Sequence, residues 1–239
     1  MPVLQSMPPI VIDTSVLAEF GKMWYSNGQS LSRTPPYSSG DLGKLFDNAV
    51  GQALAVMLGD IPVLRITDYN TLIPSQPNCV EVGPVRVIGG VRPQNFDVGY
   101  RPDGIRIAFD SKTLNDAKSV GKNWQNMVND LATEATTVHS RFPHAVVAFM
   151  VVIPAPCASG PVRNAIIETL ERLARRNNVE APLYMTEAIS LVFWNPNDGI
   201  IDTSLPDPTS SIRIEKFSTQ IESTYISCYK GLPPHAPTE

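Results

Sequence analysis

The stretch NFDVGYRPDGIRIAFDSKTL, residues 95–114, sets two β-prone runs on either side of a Pro-Asp-Gly turn. The spacing predicts strands over Phe96–Arg101 and Ile105–Thr113 joined as a hairpin. Asp110 and Lys112 are one residue apart, so an extended chain points both to the same side. Asp97 lies on the partner run. Pairing of Arg101 with Gly104 sets Asp97 opposite Ala108, on the face of Asp110 and Lys112, whereas a bulge at Gly104 turns it away. Pro-Asp-Gly permits both.

Outward from the hairpin the pattern stays regular. Val80–Val87 reads as a strand interrupted by Pro84, which implies an edge or a bulge. Pro62–Pro77 reads as loop with a short strand near Val63–Ile66. Asp41–Leu58 carries Leu42, Phe46, Val50 and Leu54 at helical period, with Lys44, Asp47, Asn48 and Gln52 on a more polar side. Its interior Gly43 and Gly51 cost about 1 kcal/mol each against Ala, so they mark close packing. Downstream, Lys122–Phe142 is a helix with the stripe Trp124, Met127, Val128, Leu131, Ala135 and Val138, stopped by Pro143. Ala145–Ile153 is almost wholly apolar and β-branched, as a strand buried on both faces requires. Pro161–Arg176, with proline at its start, and Arg213–Tyr229 read as helices, and Ala188–Trp194 as a strand. At the N-terminus, Ile10–Ile12 is a candidate short strand, Val16–Tyr25 a helix, and Ser30–Ser39 a proline-broken loop. Leu232–Glu239 reads as a loose tail. Helices alternating with strands around one buried strand predict an α/β fold, a mixed sheet covered by helices on both faces.

The composition excludes several classes. With 239 residues, 43% hydrophobic and 18% charged, the chain is globular rather than disordered and long enough for one sizeable core. Its formal charge of −4 argues against a strongly basic arm, although Arg86, Arg92, Arg101, Arg106, Lys112, Lys118 and Lys122 crowd around the hairpin. Cys79, Cys157 and Cys228 have no ligand or disulfide spacing, which suits a reducing cytoplasm. No signal-like start and no run of bilayer length appear. His139, His144 and His235 form neither metal nor triad spacing, and no glycine pattern cradles a nucleotide.

Two acids and a lysine on a tight hairpin suit phosphodiester chemistry. Negative charge develops on the phosphorus oxygens and on the leaving oxygen, Mg²⁺ held by carboxylates offsets it, and a lysine orients the attacking water. Asp97, the triplet Asp110-Ser111-Lys112, and the helix, three strands, helix, strand order around them resemble the PD-(D/E)xK nuclease superfamily, most of all its type II restriction endonucleases. The resemblance covers roughly Asp41–Ile153. It implies a restriction-endonuclease-like core in αβββαβ order, with residues 1–40 as an N-terminal extension and 154–239 as C-terminal elements of one nuclease-like domain. It implies that Asp97 and Asp110 hold Mg²⁺ and that Lys112 assists the nucleophilic water. Asp47, in the pair Phe46-Asp47, matches an acid that the family draws from its first core helix, and Gln125 matches a polar residue from the second. Phe96 stands where the family's proline would be, and Pro102-Asp103 sits at the turn tip. The substrate implied is double-stranded DNA, cut by a homodimer at two-fold symmetric sites.

Two other readings compete. VIDTSVL, residues 11–17, looks like the opening of a PIN-domain ribonuclease with Asp13 as its metal ligand; the plainer reading is a helix cap. Alternatively, the hairpin acids are structural and the chain is a non-catalytic DNA- or protein-binding relative. Arg163, Arg172, Arg175 and Arg176 are a solvated face or phosphate contacts. Trp24-Tyr25 and Trp194 pack a core or interface, or stack on bases, and Trp124 fills the core.

Overall fold

The computed structural model of the chain describes residues 1–74 and 76–235. Six strands form one mixed sheet: β1 (Val63–Arg65), β2 (Val80–Ile88), β3 (Pro93–Tyr100), β4 (Ile107–Thr113), β5 (Val146–Pro154) and β6 (Ala188–Trp194), lying side by side in chain order. The β2–β3 and β3–β4 neighbours are antiparallel; β1–β2, β4–β5 and β5–β6 are parallel. Each parallel step after β4 requires a crossover, and helices supply them: α3 (Val120–His139) before β5 and α4 (Gly160–Leu173) before β6. The remaining helices are α1 (Thr14–Ser26), α2 (Ser39–Met57) and α5 (Ile214–Tyr229). Every residue of β5 and β6 is buried, as the unbroken apolar runs require when helices cover both faces.

Helix α2 starts at a capping box: Ser38 accepts the Asp41 N–H, and Asp41 accepts the Ser38 N–H in return. Its buried ridge is not wholly apolar. Gly43, Asp47 and Gly51 recur at i, i+4 and i+8, and all three are buried against the sheet. A Cβ on Gly43 would stand 3.0 Å from Ser111 Oγ, and one on Gly51 would stand 2.5 Å from Val82 Cγ2. The glycines thus bring the helix axis close, and Asp47 comes with it, away from the polar side where its spacing had placed it. Gly51→Ala is expected to cost about 1–3 kcal/mol, read from a urea unfolding midpoint, because Val82 has to yield.

Two sequence expectations are changed by the structure. Pro84 sits in a bulge, where the β2–β3 register shifts between Val82 and Val85, and it lies just past the Val80–Val82 stretch that β1 covers, so β2 is an edge only from there on. Gly83 there has φ 124°, and a Cβ would strike Ile66 O at 2.1 Å, so only glycine suits the bulge. Ile10 and Ile12 are buried and Val11 is exposed, in a segment without strand pairing. Its neighbourhood is tied down differently: Gln5 N–H donates to Met57 O, Met7 N–H to Glu222 Oε2 and Ser218 Oγ to Pro8 O. The segment is therefore a strap joining the end of α2 to α5. Within the expected loose tail, His235 is buried and meets the Tyr225 hydroxyl at 2.7 Å; residues 236–239 lie outside the described residues. Among the described residues, no helix is long and apolar enough to cross a membrane.

Candidate active site at a fork in the sheet

Tyr100 pairs with Ile107, Gly99 with Ala108, and Val98 with Phe109. The loop is longer than either expected turn, so the next position brings Asp97 beside Asp110 rather than Ala108. The β3–β4 ladder stops there. Beyond it β3 continues along β2 as far as Pro93, while β4 continues along β5 as far as Thr113. The sheet therefore forks between β3 and β4, and the fork frees backbone groups of β4 that a ladder would have used. Asp97 fills the gap: its Oδ2 accepts the Ser111 N–H at 3.1 Å, with the Ser111 hydroxyl at 3.4 Å.

Successive residues of β4 face opposite layers, so Ser111 meets α2 while Asp110 and Lys112 meet α3. Asp97, in the fork, touches both sides. It shares a hydrogen bond with Asp110 and feels the charge of Asp47. The Lys112 ammonium donates to Asp110 Oδ2 and, at 3.0 Å, to Glu134 Oε1 on α3. Gln94 on β3 donates to the same Glu134 oxygen at 3.1 Å. Solvent reaches the cluster at Lys112, whose side chain is 24% exposed, against 8% for Asp110 and 6% for Glu134.

Four carboxyl groups thus gather around the fork with one half-buried ammonium, which touches two of them, Asp110 and Glu134. Burial pushes the Asp47 carboxyl up to about 8, and the charge of Asp97 adds to the shift. Burial also pushes Asp97 up to about 8, with Asp110 close by, so Asp97 is the member of that pair that retains a proton. Asp110 rises to about 6 because it is buried, held lower than its neighbour by the Asp97 hydrogen bond and by Lys112. Burial alone would depress Lys112, but Asp110 and Glu134 outweigh it and keep the ammonium charged. Among the described residues, Asp47 Oδ1 and Glu134 Oε2 are buried without any hydrogen-bond partner. Buried acids in excess of cations, two with unused oxygens, are a costly arrangement that a hard cation would relieve.

No three His, Cys, Asp or Glu side chains among the described residues stand close enough to cage an ion by themselves. Mg²⁺ does not need such a cage, since it keeps several waters and takes one or two carboxylates. Asp97 and Asp110 meet that demand with oxygen donors alone, and the unused Asp47 oxygen is nearby.

Other expected participants lie elsewhere. Gln125 is exposed on α3, and Glu134 supplies that helix's polar contact instead. The signal was in the sequence: Met127, Leu131, Glu134 and Val138 follow the buried helical period, so an acid occupies the apolar stripe. Of the hairpin's bases, Arg101 is buried in a two-pronged pair with Glu81 at 2.5 and 3.0 Å. Arg106 is buried between Asp103 and the Tyr229 ring. Both are engaged in these pairs rather than in the carboxyl cluster. Arg176 is not on a solvated face: it pairs with Glu187 at 3.0 Å and donates to four backbone carbonyls. It borders a cleft of about 340 Å³, and His139 closes the network through Glu187 at 3.2 Å. All of these groups satisfy one another, which marks a structural knot. Trp24 and Trp194 are fully buried. Asp13 is an exposed N-cap that accepts the Ser15 N–H and hydroxyl, with no strand before it.

No family model, curated protein or solved structure matches this chain.

Proposed function

We propose that the protein is a Mg²⁺-dependent endonuclease of PD-(D/E)xK type that hydrolyses phosphodiester bonds of double-stranded DNA, acting as a type II restriction enzyme. The observation that carries this reading is the meeting of Asp97, Asp110 and Lys112 at the fork, delivered by β3 and β4, with Asp47 brought near from α2. The α2, β2–β4, α3, β5 order around it supports a restriction-endonuclease-like core. Asp97 and Asp110 would hold the ion, with Asp47 behind them. Bound there, Mg²⁺ supplies positive charge to the phosphate and makes nearby water more acidic.

The chain's own groups have separable tasks. Asp97 spans the fork and keeps the two sheet halves in register through Ser111. Asp110 presents its carboxylate from a strand buried on both sides, so its position is rigid. Lys112, at the solvent-facing edge of the cluster, orients the attacking water and steadies charge on a phosphate oxygen. Exposed Lys118, just before α3, and Lys122, in its first turn, would meet backbone phosphates. A homodimer would present two such sites to a two-fold symmetric sequence.

The test is a plasmid digest with Mg²⁺ or Mn²⁺ against EDTA. Wild type is expected to yield discrete fragments, and Lys112→Ala is expected to lose them. Cutting that ignores Lys112, or no cutting by wild type with either metal, overturns the reading.

A further inference from the structure

We propose that Glu134, steadied by Gln94, is a positioning residue that retains the Lys112 ammonium when a divalent cation takes Asp110 away from it; the inference rests on the nuclease reading above. Lys112 has two anionic partners, Asp110 Oδ2 and Glu134 Oε1. A cation that draws on Asp110 competes for the oxygen Lys112 now uses. An ammonium this buried, left without an anion, would swing outward or resist the incoming cation.

Glu134 prevents both outcomes. It comes from α3 rather than from either arm of the fork, so a rearrangement of Asp97 and Asp110 need not disturb it. Its Oε1 is held from β3 by Gln94 at 3.1 Å, on the opposite arm of the fork from Lys112. Its Oε2 is buried and without a partner among the described residues. That oxygen is a free acceptor for a second N–H of Lys112 as the first is released by Asp110. The Lys112 head group then remains beside the ion, where it is useful, instead of relaxing into solvent. The same arrangement explains an acid in the apolar stripe of α3, where burial would otherwise select against it.

The direct test is a crystal structure of the protein soaked in Mn²⁺, read by anomalous scattering. The expected result is Mn²⁺ on Asp97 and Asp110, with Lys112 Nζ still within hydrogen-bond distance of Glu134. Mn²⁺ bound by Glu134 itself, or Lys112 turned away from Glu134 with the ion in place, overturns the inference and leaves the nuclease reading intact. Absence of Mn²⁺ from the acids overturns both. In solution, Glu134→Gln keeps the side chain's shape and is expected to lower kcat about a hundredfold while KM stays within about twofold. In a Lys112→Ala background the same change is expected to add less than about twofold, since the two residues act as one unit. Equal losses in both backgrounds, or a loss confined to KM, count against a positioning role.

Discussion

Asp97→Asn is expected to abolish cleavage while leaving the metal-free protein as stable as wild type at pH 6 and more stable at pH 8.5. The two effects separate because the asparagine copies one protonation state of the native residue. Protonated Asp97 accepts the Ser111 N–H and donates its O–H to Asp110. An asparagine carboxamide can do the same, its oxygen on Ser111 and its N–H on Asp110. The amide carries no charge, so Asp47 and Asp110 lose a repelling neighbour. It is also a poor ligand for a hard cation, and cutting should fall by about a thousandfold or more, equivalent to about 4 kcal/mol of barrier. Fragment yield from a plasmid, together with melting curves in EDTA at both pH values, reads both effects. A variant that melts well below wild type at pH 8.5 would mean that Asp97 is ionised and structurally required, contrary to its placement here.

The second large effect is the pH dependence of the metal-free fold. Carboxyl groups displaced upward bind more protons in the native state than in the unfolded chain, between the unfolded value near 4 and the folded value. Stability therefore falls as pH rises through that window, the reverse of the usual behaviour of paired surface acids. Asp110 alone, moved from 3.8 to about 6, corresponds to about 3 kcal/mol. Asp47 and Asp97 extend the decline to about pH 8. For a chain of this size the melting temperature in EDTA should drop by at least roughly 10 °C from pH 5 to pH 8.5. Saturating Mg²⁺ or Ca²⁺ should restore most of it at pH 8.5 and do little at pH 5, where protons already occupy the acids. A melting temperature that rises with pH in EDTA would show that these carboxyls are not strained as placed. Asp110→Asn should flatten the slope.

The elements were legible in the chain because their signals are local. Helical spacing of Leu42, Phe46, Val50 and Leu54, or the apolar run at 145–153, depends only on where successive side chains point. The same locality puts Asp110 and Lys112 on one side of β4, and marks Pro84 as a break in pairing. Element ends moved by one to three residues, as at α3 and α4, where capping and the next turn decide where the helix stops.

What the sequence determined by itself, then, is most of the helices and strands, the mixed α/β layering, and the Asp110 and Lys112 pair. Only the tertiary structure decided what meets that pair. Asp97 reaches Asp110 because the Tyr100–Ile107 register sets it there and the fork opens beyond Phe109. Asp47 turns inward because two glycines let α2 descend on the sheet, and Glu134 arrives on a crossover helix. The same long-range contacts bury Arg101, Arg106 and Arg176 in ion pairs of their own. The physical reason is that side-chain direction repeats along a backbone within a few residues, whereas convergence in space depends on register and close approach between segments far apart in the chain.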